Sequence, residues 1–389
     1  MKVLIVTPGR LPVPASRGGA VETLIDMLLK YNECAKEHEI HVVTIADKKA
    51  EESGKNFDYA VFHFVKMGAL LEFASAYHIL PYRMLDYFFS KKGVRILKAE
   101  KHKFDRIIIQ NEIINGKVFS KTFESRYIYH AHNNPLEKGR RFGSSFLQSC
   151  SSVLTVSEFL GSEFRNRAKL YNNVTVYNGI DTELFDREKY LAKANKLREQ
   201  YGIDKDEIVI MYAGRIAKEK GIVPLLEAFL TIPSEEKITL VIVGASFYEN
   251  SKETAFVKKI KKMSSFKKDK IIFTGYVKHE EMPEYYSMAD IGCIPSIWEE
   301  PFGLSVIEQM AMKLPVIVTD SGAIVEIANE SCGFILRRNI DLTKNIASAI
   351  KKLAEDEATR RNMGESGREI VEERFSQKAF CEKWYESIK

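Results

Sequence analysis

The chain has 389 residues, 45% of them hydrophobic, a net charge of +5 and five cysteines. That length exceeds one ordinary core and fits two domains, and the apolar fraction excludes wholesale disorder. Cys34, Cys150, Cys293, Cys332 and Cys381 are odd in number, widely spaced and without a CxxC pair, which excludes a disulfide framework or a cysteine zinc site and points to a reducing compartment.

The charge is uneven. Residues 1–180 carry 26 basic and 18 acidic side chains, whereas the remaining 209 residues carry 32 and 35. A basic first half suggests an anionic surface or substrate on that side. MKVLIVTPGR is a short apolar strand broken by Pro and Gly, without the pattern of a signal peptide. No apolar run approaches the roughly 18 residues that cross a bilayer. The expectation is a cytoplasmic protein, at most peripheral to the inner face of the cell membrane, with no nucleic-acid partner.

Taken in order, VLIVT reads as a buried parallel strand, PGRLPVPASRGGAVE as a loop, ETLIDMLLKY as a helix and IHVVTIA as the next strand. Strand, glycine loop, helix and strand make a βαβ start. YAVFHFV, DRIIIQ, RYIYHAH, SSVLTVS and VTVYN are further strands of this first half. A second series opens at EIVIMYAG. It continues with helix IVPLLEAFL, strand ITLVIVG, a helix near 252–264, strand IIFTG, helix HEEMPEYYSMA and strand IGCIPS. Helix LSVIEQMAMK and strands PVIVTD and GFIL complete it. This alternation predicts an α/β protein of two facing Rossmann-like domains with ligands outside the carboxyl ends of the strands. The expected boundaries are 1–180, 181–368 and a C-terminal helix, 369–389, that packs on the first domain. Phe380, Trp384 and Phe375 form the apolar side of that helix, and an interdomain cleft is expected.

One stretch concentrates chemistry. SIWEEPFGLSVIEQMAMKLPVIVTD, residues 296–320, places Glu300 in a polar loop, a Pro-Phe-Gly turn at its end, and Glu308 in the following helix, eight positions on. N–H groups at a helix start lack intrahelical acceptors and favour an anion. Two carboxylates beside such a start suit a phosphorylated, polyhydroxylated ligand. A second stretch, AGRIAKEKG, places Arg215 and Lys220 just past a strand end. There they can hold a diphosphate and stabilise charge on a leaving group. The plain alternative is a solvated βα loop.

AGRIAKEKG, VIVGA, IIFTGYV and EYYSMADIGCIPSIWEEPFGLSVIEQMAMKLPVIVTD together resemble the nucleotide-sugar half of the family four retaining glycosyltransferases, which have the GT-B fold. NGID (178–181) and RGGAVE (17–22) extend the resemblance across the chain. The resemblance implies a retaining, metal-independent hexosyltransferase. It would take a nucleotide sugar, UDP-linked by preference, and pass the sugar to a glycan, lipid-linked or other cell-surface acceptor. It also implies residue roles. Arg215 and Lys220 would hold the diphosphate and Glu308 the ribose hydroxyls. Glu300 would sit at the donor sugar, and the N–H groups of Phe302, Gly303 and Leu304 would contact sugar or phosphate. Gly275-Tyr276-Val277 would meet the base, with Val277 using its main chain. Gly18 and Gly19 would approach the diphosphate; the alternative is a tight turn.

His132, followed by Asn133, would contact the donor sugar. His130 lies on the same side of the strand, and which of the two faces the donor is open. With no carboxylate or cysteine cluster nearby, the HxH pair is not read as a zinc site. The catalytic set is therefore Glu300, His132, Arg215 and Lys220, with no metal and no cofactor beyond the nucleotide-sugar co-substrate.

Two departures are visible. Lys313 and Ser321 stand where many relatives have Gly. The rival readings are a nucleotide-sugar epimerase of the same fold, the same transfer from a GDP- or dTDP-sugar, a nicotinamide oxidoreductase and a non-catalytic relative. The oxidoreductase lacks its GxGxxG signature. Acceptor contacts are expected from 10–17, 110–115 and 70–103. Lys91, Arg95, Lys98 and His102 fall on one helical face behind an aromatic run. Two readings stand for that face: contact with anionic lipid near a lipid-linked acceptor, or an ordinary solvated surface. Gly93 is expected to weaken this helix.

Overall fold

The computed structural model describes residues 1–68, 80–99, 103–136, 144–245 and 254–389. His102, residues 70–79 and 100–102 of the expected acceptor region, and the first two residues of the helix expected near 252–264 lie outside the described residues. The chain divides into two compact units, Met1–Asn178 with Lys378–Lys389, and Gly179–Gln377. Each contains one all-parallel sheet between helices.

The first unit has seven strands: β1 (Lys2–Val6), β2 (Glu39–Ile45), β3 (Ala60–Val65), β4 (Arg106–Gln110), β5 (Arg126–Ala131), β6 (Ser152–Thr155) and β7 (Asn173–Thr175). Their spatial order is β3-β2-β1-β4-β5-β6-β7, so the winding reverses between β1 and β4. The central strands are apolar on both faces because helices cover both. Val3 and Ile5, in register with Ile40 and Ile108, pack with Leu24, Ile25 and Leu28 of the helix Ala20–Ala35. The helix Gln377–Ser387 closes this core with Phe380 and Trp384, and the Tyr385 hydroxyl donates to the Leu28 carbonyl at 2.8 Å.

Gly93 has a different part from the expected weakening. It lies in the helix Tyr82–Ala99, where a Cβ would sit 2.8 Å from Val43 Cγ1. Glycine lets that helix lie flush on β2.

The second unit has six strands: β8 (Ile208–Ala213), β9 (Ile238–Val243), β10 (Ile271–Gly275), β11 (Ile291–Ile294), β12 (Val316–Thr319) and β13 (Gly333–Leu336). Their order is β10-β9-β8-β11-β12-β13, which places the reversal between β8 and β11. Helices Ile222–Thr231 and Leu342–Glu355 bury Leu225, Leu226, Ile346 and Ile350 against the sheet. Phe375 is not on the terminal helix. It precedes that helix and packs edge-on against Phe302, with centroids 5.8 Å apart. Lys313 has φ 56°, which explains why glycine suits that position.

Candidate active site

In the second unit the loops after β8 and β11 are neighbours at the winding reversal, where open α/β sheets bind ligands. They are tied together by main-chain and side-chain bonds. The Ile297 amide donates to the Glu219 carbonyl at 2.9 Å, and the Ser296 hydroxyl oxygen lies 3.2 Å from the same carbonyl. Gly221 makes the close approach possible. Its φ is +71°, and a Cβ there would fall 1.7 Å from the Pro295 carbonyl oxygen.

This juxtaposition brings Lys220 and Glu300 into direct contact. Lys220 Nζ lies 2.6 and 2.9 Å from the two Glu300 oxygens. The Ser296 hydroxyl donates to Glu300 Oε1 at 2.5 Å, and the ammonium sits 5.3 Å from the centroid of the Trp298 ring. Glu300 is buried, so a carboxylate there without a partner would be costly, and Lys220 and Ser296 supply that partner. An ammonium has three N–H donors; after two bonds to Glu300 one remains for a further acceptor. Glu299 turns the other way, to Arg338 at 2.8 Å and the Gly322 amide at 2.7 Å. Gly322 packs so tightly on Glu300 that a Cβ would lie 2.4 Å from its carbonyl oxygen. The Ser321 hydroxyl donates to the Trp298 carbonyl. Ser321 and Gly322 thus shape the loop. Arg215 is half-exposed and pairs with Glu219 at 3.3 Å, one residue from Lys220.

Glu308 anchors a second cluster on the helix Leu304–Ala311. His279 Nε2 lies 2.8 Å from Oε1, and the Tyr286 hydroxyl donates to Oε2 at 2.8 Å. Burial lowers the His279 pKa, but the Glu308 charge and hydrogen bond outweigh it and the net shift is upward. Burial, then Glu308, pushes the Tyr286 phenol well up, so it remains a donor. Each carboxylate oxygen keeps a second acceptor direction. Phe302 is buried, and Gly303, with φ 147°, begins the helix without a side-chain cap. The amides of Gly303 and Leu304 have no i−4 acceptor within the helix. Val277 is half-buried in the turn after β10.

In the first unit Gly18 and Gly19 have φ of +70° and +105°, and Gly19 opens the helix Ala20–Ala35. A Cβ at Gly18 would meet nothing within 4 Å, whereas one at Gly19 would lie 2.3 Å from a Glu22 oxygen. Burial raises the Glu22 carboxyl to about 7. His130 is inside and its ring nitrogens have no partner among the described residues, whereas His132 is half-buried. The rings are 4.2 Å apart. Burial lowers His132 to about 3, and burial, then the neighbouring His132, holds His130 well below the usual imidazole range. His132 Nε2 lies 2.8 Å from Gln110 Oε1. Since a carboxamide oxygen only accepts, this bond assigns the proton to Nε2 and leaves Nδ1 an acceptor. The amides of His132 and Asn133 both donate to the Asn111 side chain, at 3.2 and 3.1 Å. Among the described residues no three His, Cys, Asp or Glu side chains converge as metal ligands.

Residues 193–370, inside the second unit, match the glycosyl transferases of group 1. That match covers 178 of the chain's 389 residues. Spore coat protein SA of Bacillus subtilis (strain 168) is 24% identical to it over 386 residues, spanning 96% of each chain. The capsular polysaccharide biosynthesis glycosyltransferase CapM of Staphylococcus aureus is 32% identical over 243 residues, spanning 60% of each. The crystal structure of Anabaena HepE in complex with UDP matches with a TM-score of 0.75 at 18% identity, covering 100% of this chain and 99% of that one. That likeness shows the fold, the paired parallel-sheet α/β units of GT-B glycosyltransferases. Sugar transfer is the enzyme class, and an epimerase is not favoured.

Several residues of the site escape sequence reasoning. His279 and Tyr286 hold Glu308 from 29 and 22 positions away, with no spacing rule to announce them. Gln110 lies in the expected acceptor stretch 110–115, but its bond to His132 was not foreseen; it stands at the end of β4 in register with His130, so strand pairing is the signal that could have found that bond.

Proposed function

We propose that the protein is a retaining hexosyltransferase that takes its sugar from a UDP-sugar and passes it to a glycan or lipid-linked acceptor of the cell surface. The observation that carries this reading is the Lys220–Glu300 contact at the winding reversal of a group 1 glycosyltransferase unit. Lys220 and Arg215 hold the donor diphosphate. Glu308 accepts from the ribose hydroxyls, and Glu300 faces the donor sugar. The amides of Phe302, Gly303 and Leu304 contact sugar or phosphate, and the main chain of Val277 meets the base. Gly18, Gly19 and His132 of the first unit are assigned donor contacts by the family resemblance alone. The anomeric C–O bond breaks with its electron pair leaving on the diphosphate, through an oxocarbenium-like transition state. The acceptor hydroxyl bonds to the anomeric carbon on the side the diphosphate leaves, and its proton passes to the departing phosphate oxygen. Two cations and a helix start supply the positive charge this step needs, so the reading assigns it no metal.

The UDP preference is supported by the UDP complex of a protein of the same fold, and the cell-surface acceptor by the role named for CapM. A panel of UDP-, GDP- and dTDP-sugars tests the reading by thermal shift, followed by mass spectrometry with candidate acceptors. Stabilisation by UDP-sugars and a product heavier by one hexose is expected. An intact, epimerised nucleotide sugar would overturn it.

A further inference from the structure

The loop after β11 is laced to the loop after β12 by a row of contacts. The Thr319 hydroxyl donates to the Ser296 carbonyl at 2.5 Å, and the Ser321 hydroxyl donates to the Trp298 carbonyl. The Gly322 amide donates to Glu299 Oε2 at 2.7 Å, and the Ala323 amide donates to the Glu300 carbonyl at 2.9 Å. A third loop, the one after β13, reaches the same place with one side chain. Arg338 Nε lies 3.1 Å from Asp320 Oδ1, and Nη2 lies 3.0 Å from the Asp320 carbonyl oxygen. The Arg338 amide donates to Asp320 Oδ1 as well, at 3.1 Å. These contacts fix the plane of the guanidinium. Nη2 carries two N–H donors. With one used on the Asp320 carbonyl, the other meets Glu299 Oε1 at 2.8 Å.

Glu299 is thus held from two sides, by Arg338 on one oxygen and by Gly322 on the other. Neither Arg338 nor Glu299 has a part in the proposed reaction. Their pair is also a weak source of stability, because the Glu299 side chain is 50% exposed and that of Arg338 24%. Its place in the chain gives it another use. Glu300 follows Glu299 directly and points inward, 2.6 Å from Lys220 Nζ. Two neighbouring residues that face opposite ways are turned by one stretch of backbone. A grip on the outer carboxylate therefore sets the direction of the inner one. Trp298, on the other side of Glu299, places its ring 5.3 Å from the same ammonium.

We infer that Arg338 is a positioning residue of the donor site: by gripping Glu299 it fixes the turn of the loop that presents Glu300 and Trp298 to Lys220. A slight misplacement of a group at the reacting centre costs far more in turnover than in stability. The inference rests on the proposed transfer for its effect on rate. The grip itself concerns only the loop, and it is read without any donor.

That reading uses fluorescence. The chain has two tryptophans, and Trp384 is fully buried in the first unit, so acrylamide quenching reports Trp298. Arg338→Gln should raise the quenching constant about twofold. Its melting temperature should move by no more than about 3 °C. Turnover is read as UDP release from a UDP-sugar with candidate acceptors present. Arg338→Gln should lower kcat roughly tenfold and leave KM within about threefold. Glu299→Gln keeps an acceptor for the Gly322 amide and removes the charge that Arg338 grips. It should lose about as much, and the double variant no more than either alone, because both changes break one contact. Arg338→Lys, which keeps the charge without the fork, should recover part of the rate. Unchanged quenching in Arg338→Gln overturns the inference. So do losses that multiply in the double variant, or a full rate in either single one. If the wild type releases no UDP, the proposed transfer fails, and quenching alone decides the part of Arg338.

Discussion

Gln110 and His132 form the smallest unit of this protein that links conformation to proton position. The neutral imidazole is held as the Nε2–H tautomer by one carboxamide oxygen at 2.8 Å. Gln110→Glu replaces that oxygen with a carboxylate, which favours imidazolium. The variant's histidine should then titrate several units above the wild-type value of about 3, and transfer should fall as the pH drops through that new value. Nitrogen chemical shifts of the ring check the tautomer directly, and wild-type shifts of an Nδ1–H form would contradict the assignment. Glu22 offers a second residue-scale prediction. Its carboxyl is raised by burial from 4.5 to about 7, so the folded state holds a proton the unfolded state releases. The stability it contributes is fully present below pH 4.5 and is lost as the pH rises through about 7. At about 1.4 kcal/mol per unit this is on the order of 3 kcal/mol as an upper bound. Glu22→Gln should flatten that part of the pH dependence in urea unfolding at pH 5 and pH 8. An unchanged difference between the two pH values would show that Glu22 is not held neutral.

At the scale of elements, the turn Lys218–Lys220 and the loop after β11 make the site because glycine lets them touch. Gly221→Ala adds a Cβ at φ +71° and 1.7 Å from the Pro295 oxygen, so backbone must move. The φ alone costs about 1–2 kcal/mol. The displaced loop should misplace Glu300, lowering transfer more than a stability loss of that size explains; a variant with full activity and an unchanged melt would contradict the close approach. The strands of both units were legible from sequence because parallel strands covered on both faces are unbroken apolar runs such as VLIV and ITLVIV. Arg215, Lys220 and Glu300 past strand ends, with Glu308 in the helix that follows, were legible as a motif. Their partners were not. Whether Glu308 meets His279, or Glu299 meets Arg338, depends on loop conformations that no periodicity encodes. Propensity weighs Gly93 in the helix alone, and only the structure adds the packing reason for it, Val43 beneath.

At the scale of the molecule, the chain's end belongs to its beginning. Trp384 is buried in the core of the first unit with Val3, Ile5 and Leu28. Trp384→Ala should cost about 3–5 kcal/mol in denaturant unfolding, and a loss below about 1 would mean the terminal helix is not integral to that core. In the proposed reaction the decisive group of the second unit is Lys220. Lys220→Gln keeps a hydrogen-bond donor for Glu300 while removing the cation, so it separates charge from folding. The most direct test is titration calorimetry of UDP with the wild type and this variant, each shown by its melt to be folded. A charged hydrogen bond to the diphosphate is worth about 1.5–3 kcal/mol, so the variant should bind roughly 10- to 150-fold more weakly. Equal affinity in the two proteins would contradict the diphosphate role of Lys220, and with it the account of the site.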